Sequence, residues 1–212
     1  MTKLILIRHG ESMGNAVRAF LGHTDLDLSP KGYEQAEAVR KYFQNIDVDV
    51  IYSSDLKRAY NTVLPISKMK NIPIITSQNL REIYAGEWEN KKFDDLDIEF
   101  KKEYDIWKNN IGLAACSGGE SVLNLQTRVY NEIYKIAKEN EGKTICIGTH
   151  ATPIRTFAAK CAGLQADEIK NYPWAVNASI SFFEFSDDKF KEIEYNYAEH
   201  VTGIVTALPK NV

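Results

Sequence analysis

The amino-acid sequence predicts an α/β fold in three layers: a mainly parallel central sheet flanked by helices, with an inserted, partly helical cap. The chain begins with an unbroken aliphatic run at residues 4–7, which is typical of a parallel strand buried on both faces. Strand-like and helical patterns alternate after it as far as residue 75. Residues 79–119 interrupt the alternation with a charged and aromatic stretch, which we interpret as the cap.

The first helix and the second strand follow the opening loop. Ser29 and Pro30 are typical of a helix cap followed by a first-turn proline. Apolar residues then recur at helical spacing from Tyr33 to Phe43, which predicts a helix with one buried face. Residues 48–52 are predicted to form the second strand.

A second helix and a third strand complete a βαβαβ order. Ser53-Ser54-Asp55 offers capping side chains to a helix that carries Arg58 in its first turn. Pro65 is predicted to end or kink this helix because proline lacks an amide hydrogen. Residues 72–75 are short and β-branched, as expected for the third strand.

Another helix and a hairpin follow the cap. Ser117-Gly118-Gly119-Glu120 has the spacing of a capping box, and the helix after it shows a regular apolar face and ends at Gly142. The remaining predicted elements are a strand at 143–148, a helix capped by Thr152-Pro153 that runs to about Cys161, and a closing hairpin of 179–185 and 190–197.

Composition and charge limit the class of protein. The chain has 212 residues, 44% of them hydrophobic, which fits a single domain over residues 1–212 with an insertion at about 79–119. Its formal charge of −3 argues against nucleic acid as a partner. No apolar stretch reaches the roughly 20 residues of a membrane span. The N-terminus lacks a signal-peptide pattern, so we expect a cytoplasmic protein with no membrane partner, and we leave a homodimer open.

The three cysteines give no sign of a disulfide framework or a metal site. Cys116, Cys146 and Cys161 are odd in number and lack CxxC spacing. None of them is followed by arginine six positions later, so a thiolate nucleophile in a phosphate-binding loop is not expected. We therefore expect neither a metal nor a cofactor.

Ionisable residues follow three of the predicted strands. Arg8 and His9 come directly after the first strand, Arg58 after the second, and His150 after the strand that ends at Gly148. The carboxyl ends of parallel strands share one edge of a sheet, so these side chains are expected to converge. Guanidinium forks and imidazoles in one place are suited to bind a phosphoryl group and to attack it.

Six blocks in order along the chain carry a resemblance to a known family. They are residues 6–12 with Asn15, 28–32, 54–59, 80–83 leading into 86–89, 118–121 and 149–150. In these blocks the sequence resembles the histidine phosphatase superfamily, the phosphoglycerate mutase-like proteins, over nearly the whole chain. The family usually has glycine where this chain has Ala151, so we expect a shifted loop there with activity retained.

The resemblance implies roles for the converging residues. His9 is the nucleophile that becomes phosphorylated, and Glu82 is the proton donor. Arg8, Arg58 and His150 surround the transferring group. The positions that the resemblance assigns to substrate binding are Arg8, Asn15, Leu21, Gly22, Arg58 and Ala151.

The implied reaction is metal-independent hydrolysis of a small phosphomonoester through a phosphohistidine intermediate. Two alternatives remain: a cofactor-dependent phosphoglycerate mutase, and a module that binds phosphorylated ligands without turnover. Residues 82–89 match the phosphatase branch and favour hydrolysis, while residues 22–25 also resemble α-ribazole phosphatases. The DxDx pattern at 25–29 falls in a predicted loop, which argues against a magnesium-dependent aspartate nucleophile.

Overall fold

The computed structural model describes residues 1–207, so the last five residues of the predicted domain lie outside the described part. Its sheet has six strands in the spatial order β3-β2-β4-β1-β5-β6. The strands are β1 (Thr2–Arg8), β2 (Val50–Ser53), β3 (Ile74–Thr76), β4 (Thr144–Thr149), β5 (Ile180–Ser186) and β6 (Lys189–Tyr197). β1 to β4 are mutually parallel, and the closing hairpin adds β5 and β6 antiparallel. The mainly parallel sheet is confirmed, and each strand lies within two residues of its predicted bounds.

Helices cover both faces of the sheet. They are α1 (Met13–Ala16), α2 (Pro30–Tyr42), α3 (Lys57–Lys70), α4 (Phe93–Glu99), α5 (Lys101–Asn109), α6 (Val122–Glu139) and α7 (Ala151–Cys161). Leu4 and Leu6 of β1 pack into one core cluster with α6 and α7, while Ile5 and Ile7 pack into another with α2 and α3. Both faces of β1 are therefore buried, which explains its unbroken aliphatic run. Within residues 1–207 no helix is long and apolar enough to cross a membrane.

Two helices differ from their sequence predictions. α3 continues past Pro65 to Lys70, so of the two predicted effects of this proline, an end or a kink, the end is wrong. Proline removes one amide donor, but Val63 and Ile66 beside it are fully buried and hold the helix against the sheet. In α2, Ala36 and Val39 are buried, as is Phe43 just after the helix, so most of the predicted apolar face is confirmed, but Tyr33 is 48% exposed.

Three helix caps also differ. α3 begins after Leu56, whose side chain makes no capping hydrogen bond, instead of being capped by residues 53–55. The cap of α6 is Ser121, because Gly118 takes φ +65 and bends residues 117–119 into a turn before the helix. α7 begins directly after β4 with His150 at its N-cap, two residues ahead of the predicted cap at Thr152.

The predicted cap region contains α4, α5 and short 3-10 turns. Its aromatic side chains point inward, since Trp88, Tyr104 and Trp107 are each at most 2% exposed and belong to the same core cluster as Leu4. This packing explains the aromatic content of the stretch and provides one wall of the cavity described below.

Candidate active site

His9 follows the last residue of β1 and is 4% exposed. Its Nδ1 lies 2.7 Å from the carbonyl oxygen of Gly10. A carbonyl can only accept a hydrogen bond, so Nδ1 carries the proton and Nε2 keeps its lone pair. Burial, together with the charges of Arg58 and Arg8, holds the pKa of His9 well below its ordinary value. The imidazole is therefore neutral at neutral pH and has a free nucleophilic nitrogen.

Two buried arginines flank His9. Arg58, in the first turn of α3, donates to the carbonyl oxygens of Thr24 at 2.9 Å and Gly22 at 2.7 Å. Arg8 donates from Nη1 to the carbonyl oxygen of Ala175. Burial lowers the pKa of both arginines to about 10, so both remain charged. Neither forms a salt bridge within residues 1–207, and two buried cations without paired carboxylates make a site for an anion.

Glu82 is the carboxylic acid of this site and is 7% exposed. Its Oε1 accepts a hydrogen bond from the amide of Ile83 at 2.8 Å, and its Oε2 accepts one from the amide of Thr152 in the first turn of α7 at 3.3 Å. Burial raises the pKa of Glu82, and this effect is larger than the opposite effect of the two amides and of the Arg58 charge, which lower the pKa. A proton is therefore retained to higher pH than on an exposed glutamate, as general acid catalysis requires.

His150 places a second imidazole beside that of His9. Its ring centroid lies 5.1 Å from that of His9, edge to face. Its Nε2 lies 2.9 Å from the hydroxyl of Ser54, which is close to the end of β2. Its buried Nδ1 has no hydrogen-bond partner in the described chain. Burial, and then the charge of Arg58, holds the pKa of His150 well below its ordinary value.

Glu89 fixes the loop that faces Arg58. Its carboxylate accepts hydrogen bonds from three successive backbone amides, those of Gly22, His23 and Thr24, and from the Thr24 hydroxyl at 2.7 Å. Burial acts to raise the pKa of Glu89, but these hydrogen bonds together lower it, so the group stays charged. The carbonyl oxygens of the same loop are thereby aimed at the guanidinium of Arg58.

Arg8, His9, Arg58 and Glu82 open into one cavity, with about 440 Å³ of space that includes open solvent at its mouth. Its lining consists of Arg8, His9, Ser12, Asn15, Ala19, Phe20, Leu21, Arg58, Glu82, Phe93, Trp107, Ala151, Thr152 and Trp174. The cavity lies at the carboxyl ends of β1, β2 and β4, where ligands bind in open α/β sheets.

The model of the histidine phosphatase superfamily (branch 1) matches residues 4–198. The chain belongs to this superfamily. It is 31% identical over 202 residues to phosphoserine phosphatase 1 of Hydrogenobacter thermophilus, which covers 95% of each chain. It is 27% identical to a metal-independent phosphoserine phosphatase of Arabidopsis thaliana, over 96% of this chain and 85% of the relative. Its fold matches that of Bacillus stearothermophilus YhfR with a TM-score of 0.91 and 28% identity, over 95% of this chain and 100% of that one.

This histidine phosphatase brings its predicted catalytic residues together. The structure places His9, Arg8, Arg58 and Glu82 in the cavity lining and His150 against His9. Of the predicted substrate-binding residues, those in the lining are Arg8, Asn15, Leu21, Arg58 and Ala151. Gly22 lies behind the lining, and its carbonyl oxygen orients Arg58. Ala151 is the first residue of α7, a backbone position that alanine adopts without strain.

Sequence reasoning missed several residues of this histidine phosphatase that shape the site. Asn177 donates to the carbonyl oxygen of His9 at 3.0 Å and to Oδ1 of Asn15 at 3.2 Å. Trp174, in the same irregular segment before β5, lines the cavity, as does Trp107 of α5. No periodic pattern marks the segment before β5, although an asparagine next to a hairpin strand is a weak turn signal.

Proposed function

We propose that this histidine phosphatase hydrolyses small phosphomonoesters in two steps, with the phosphoryl group carried on Nε2 of His9. One observation carries the proposal: His9, whose Nε2 is unprotonated, lines the same cavity as Arg8 and Arg58, two buried cations that form no salt bridge within the described chain. A dianionic phosphoryl group supplies the missing counter-charge. The matched family and the names of the relatives support hydrolysis.

In the first step, Nε2 of His9 attacks phosphorus and the bond from phosphorus to the alcohol oxygen breaks. The guanidinium forks of Arg8 and Arg58 bind the equatorial oxygens, over which negative charge is spread in the transition state. Glu82 gives its proton to the departing oxygen, which is typically worth roughly 10²- to 10⁴-fold in rate. The hydrogen bond from Nδ1 to Gly10 supports the positive charge that develops on the imidazole.

In the second step, water attacks the phosphohistidine. Glu82, now a carboxylate, takes a proton from the water as the phosphorus–nitrogen bond breaks, and inorganic phosphate leaves. The protein returns to its starting protonation state, with His9 neutral and Glu82 protonated. His150 packs edge to face against His9, and its Nδ1 has no hydrogen-bond partner in the described chain, so we assign this nitrogen to a phosphoryl oxygen in both steps.

Two alternatives differ in the fate of the phosphoryl group. A phosphoglycerate mutase would return it to a second substrate position and would need a bisphosphate primer. A binding module would retain the ester intact, and the complete set of His9, Glu82 and the two arginines argues against it. The names of the relatives make phosphoserine the first physiological ester to test.

The test is release of inorganic phosphate from para-nitrophenyl phosphate and from 3-phosphoglycerate, with EDTA present, by the wild type and by His9→Ala. We expect EDTA-resistant release that the substitution abolishes. Glu34→Ala, an exposed position on α2 without a side-chain hydrogen bond or salt bridge in the described chain, is the control and retains activity. Formation of 2-phosphoglycerate only in the presence of a primer would establish the mutase instead, and tight binding of both esters without turnover would establish the binding module.

We also propose that residues 1–212 form one cytoplasmic domain, with the insertion at about 79–119; a monomer and a homodimer are the two outcomes to distinguish. The continuous packing of the insertion against the core supports the single domain. Light scattering on a sizing column measures the oligomeric state, and one cooperative unfolding transition by calorimetry is expected of one domain.

A further inference from the structure

The cavity has a charged end and an uncharged end. Only Arg8, His9, Arg58 and Glu82 among its lining residues carry ionisable side chains. The uncharged end is dominated by four aromatic rings that pack on one another: Phe20, Phe93, Trp107 and Trp174. Phe20 lies 5.1 Å from Trp107 and 6.3 Å from Phe93, measured between ring centroids. We call these four residues the aromatic wall.

The Trp174 ring contacts two other side chains, those of Trp107 and Arg155. Its ring is stacked on that of Trp107, with centroids 6.1 Å apart and planes at 29°. The guanidinium of Arg155 lies 4.3 Å from the centroid of the Trp174 ring. Arg155 is 5% exposed, donates to the carbonyl oxygens of Ile169 and Lys170, and forms no salt bridge with any described carboxylate. Arg155 therefore makes a cation–π interaction with the indole of Trp174. Such an interaction is stronger where it is shielded from water.

The backbone around Trp174 is tied to the phosphoryl-binding groups. The carbonyl oxygen of the next residue, Ala175, accepts a hydrogen bond from Arg8. Two residues further on, Asn177 donates to the carbonyl oxygen of His9. A phosphoryl group bound by Arg8 and attacked by His9 therefore lies in the same cavity as the aromatic wall, which is a surface available to the alcohol part of the ester.

We propose that this enzyme selects phosphomonoesters whose alcohol part is uncharged and apolar or aromatic, and that Trp174 is the residue that sets this specificity. This inference rests on the proposed hydrolysis. A carboxylate placed against the aromatic wall would lose its water, and the two cations of the lining, Arg8 and Arg58, are occupied by the phosphoryl group. Such uncompensated burial of a charge is strongly unfavourable. The cations that flank the wall in sequence, Arg18 and Lys92, are exposed to solvent. Phosphoserine is therefore expected to be a poor substrate.

The test compares 2-phenylethyl phosphate with O-phosphoserine. Both release a primary alkyl alcohol, but the first presents a phenyl ring to the aromatic wall and the second presents an ammonium and a carboxylate. We expect kcat/KM for 2-phenylethyl phosphate to exceed that for phosphoserine at least about tenfold, the scale on which apolar pockets discriminate. Equal or better turnover of phosphoserine would overturn the proposal. Para-nitrophenyl phosphate separates the two proposals. If none of the three esters is hydrolysed, the proposed function fails. If para-nitrophenyl phosphate is hydrolysed while 2-phenylethyl phosphate is turned over no better than phosphoserine, only the specificity fails.

Variants of Trp174 test its role. Trp174→Ala is expected to lower kcat/KM for 2-phenylethyl phosphate at least about tenfold and that for phosphoserine less than about threefold, while Trp174→Phe keeps most of the preference. Ile106→Ala, an exposed position on the same helix as Trp107, is the matched control and leaves the ratio unchanged. An equal loss with both substrates in Trp174→Ala would show a purely structural role and would overturn the assignment.

Discussion

The rings of His9 and His150 lie edge to face with their centroids 5.1 Å apart, and both are held neutral in the folded protein. Burial is the main cause, and the charge of Arg58 adds to it for both imidazoles. Two neutral imidazoles beside two arginines leave the positive charge of the site on the guanidiniums alone. In the proposed reaction, the arginines stabilise the bound phosphoryl group, while His9 keeps the lone pair needed for attack.

The pH profile of the first step follows from these pKa shifts. The pKa of His9 lies well below 6.5, so its lone pair is available throughout the mildly acidic range. The pKa of Glu82 is raised from 4.5, and the step needs its protonated form. We expect kcat/KM for an alkyl phosphate to fall as pH rises through the pKa of Glu82. Glu82→Gln should lower the rate roughly 10²- to 10⁴-fold and remove this limb. A rate that instead rises with pH through 6.5 would contradict the assignment.

Stability is expected to respond to pH through His150. Its pKa is lowered on folding, so below about pH 6.5 the unfolded chain binds a proton that the folded protein does not. The free energy of unfolding therefore decreases as pH falls below that value. Between pH 6 and pH 5, the wild type should lose up to about 1.4 kcal/mol more than His150→Asn. Urea unfolding at both pH values measures this difference, and equal losses would show that His150 is protonated in the folded state.

Glu89 is expected to control the rate through Arg58 without touching the substrate. In Glu89→Gln, an NH2 group replaces one of the two carboxylate oxygens that accept hydrogen bonds from the backbone amides of residues 22–24. This group donates and cannot accept, so the loop and its carbonyl oxygens are expected to shift. We expect kcat/KM to fall at least about tenfold, because small displacements of positioning groups are costly. Weaker inhibition by inorganic phosphate should accompany the loss. Glu87→Gln, an exposed carboxylate of the same turn, is the control and should change neither quantity.

The sequence was sufficient to predict the sheet and the charged end of the cavity, because both depend on where strands end. Arg8, His9, Arg58 and His150 each follow a parallel strand, and topology alone brings them to one edge. Glu82 lies outside any strand, and only the resemblance to a family indicated its role. Its raised pKa depends on burial, which no local pattern reports.

The aromatic wall and the loop contacts could not be predicted for a different reason. Trp107 comes from α5, Phe20 from the loop after α1, and Trp174 from an irregular segment before β5. Their meeting depends on tertiary packing across more than 150 residues of sequence, from 20 to 174. The predicted N-termini of α3 and α6 differ from those in the structure, at residues 53–56 and 117–121. In both places backbone turns, which leave only weak signals in a sequence, compete with capping side chains.

Arg155 is expected to act on specificity through the ring that it holds. Arg155→Met keeps an unbranched apolar stem but removes the charge 4.3 Å from the centroid of Trp174. A desolvated contact of this kind is worth roughly 0.5–2 kcal/mol, so KM for 2-phenylethyl phosphate should rise roughly 2- to 30-fold while kcat changes little. Arg155→Lys, which keeps a cation but not the planar stack, should have an intermediate effect. Steady-state kinetics with both 2-phenylethyl phosphate and O-phosphoserine make the comparison. If kcat fell equally for both esters in Arg155→Met, the residue would be supporting the fold around His9 and not the placement of Trp174.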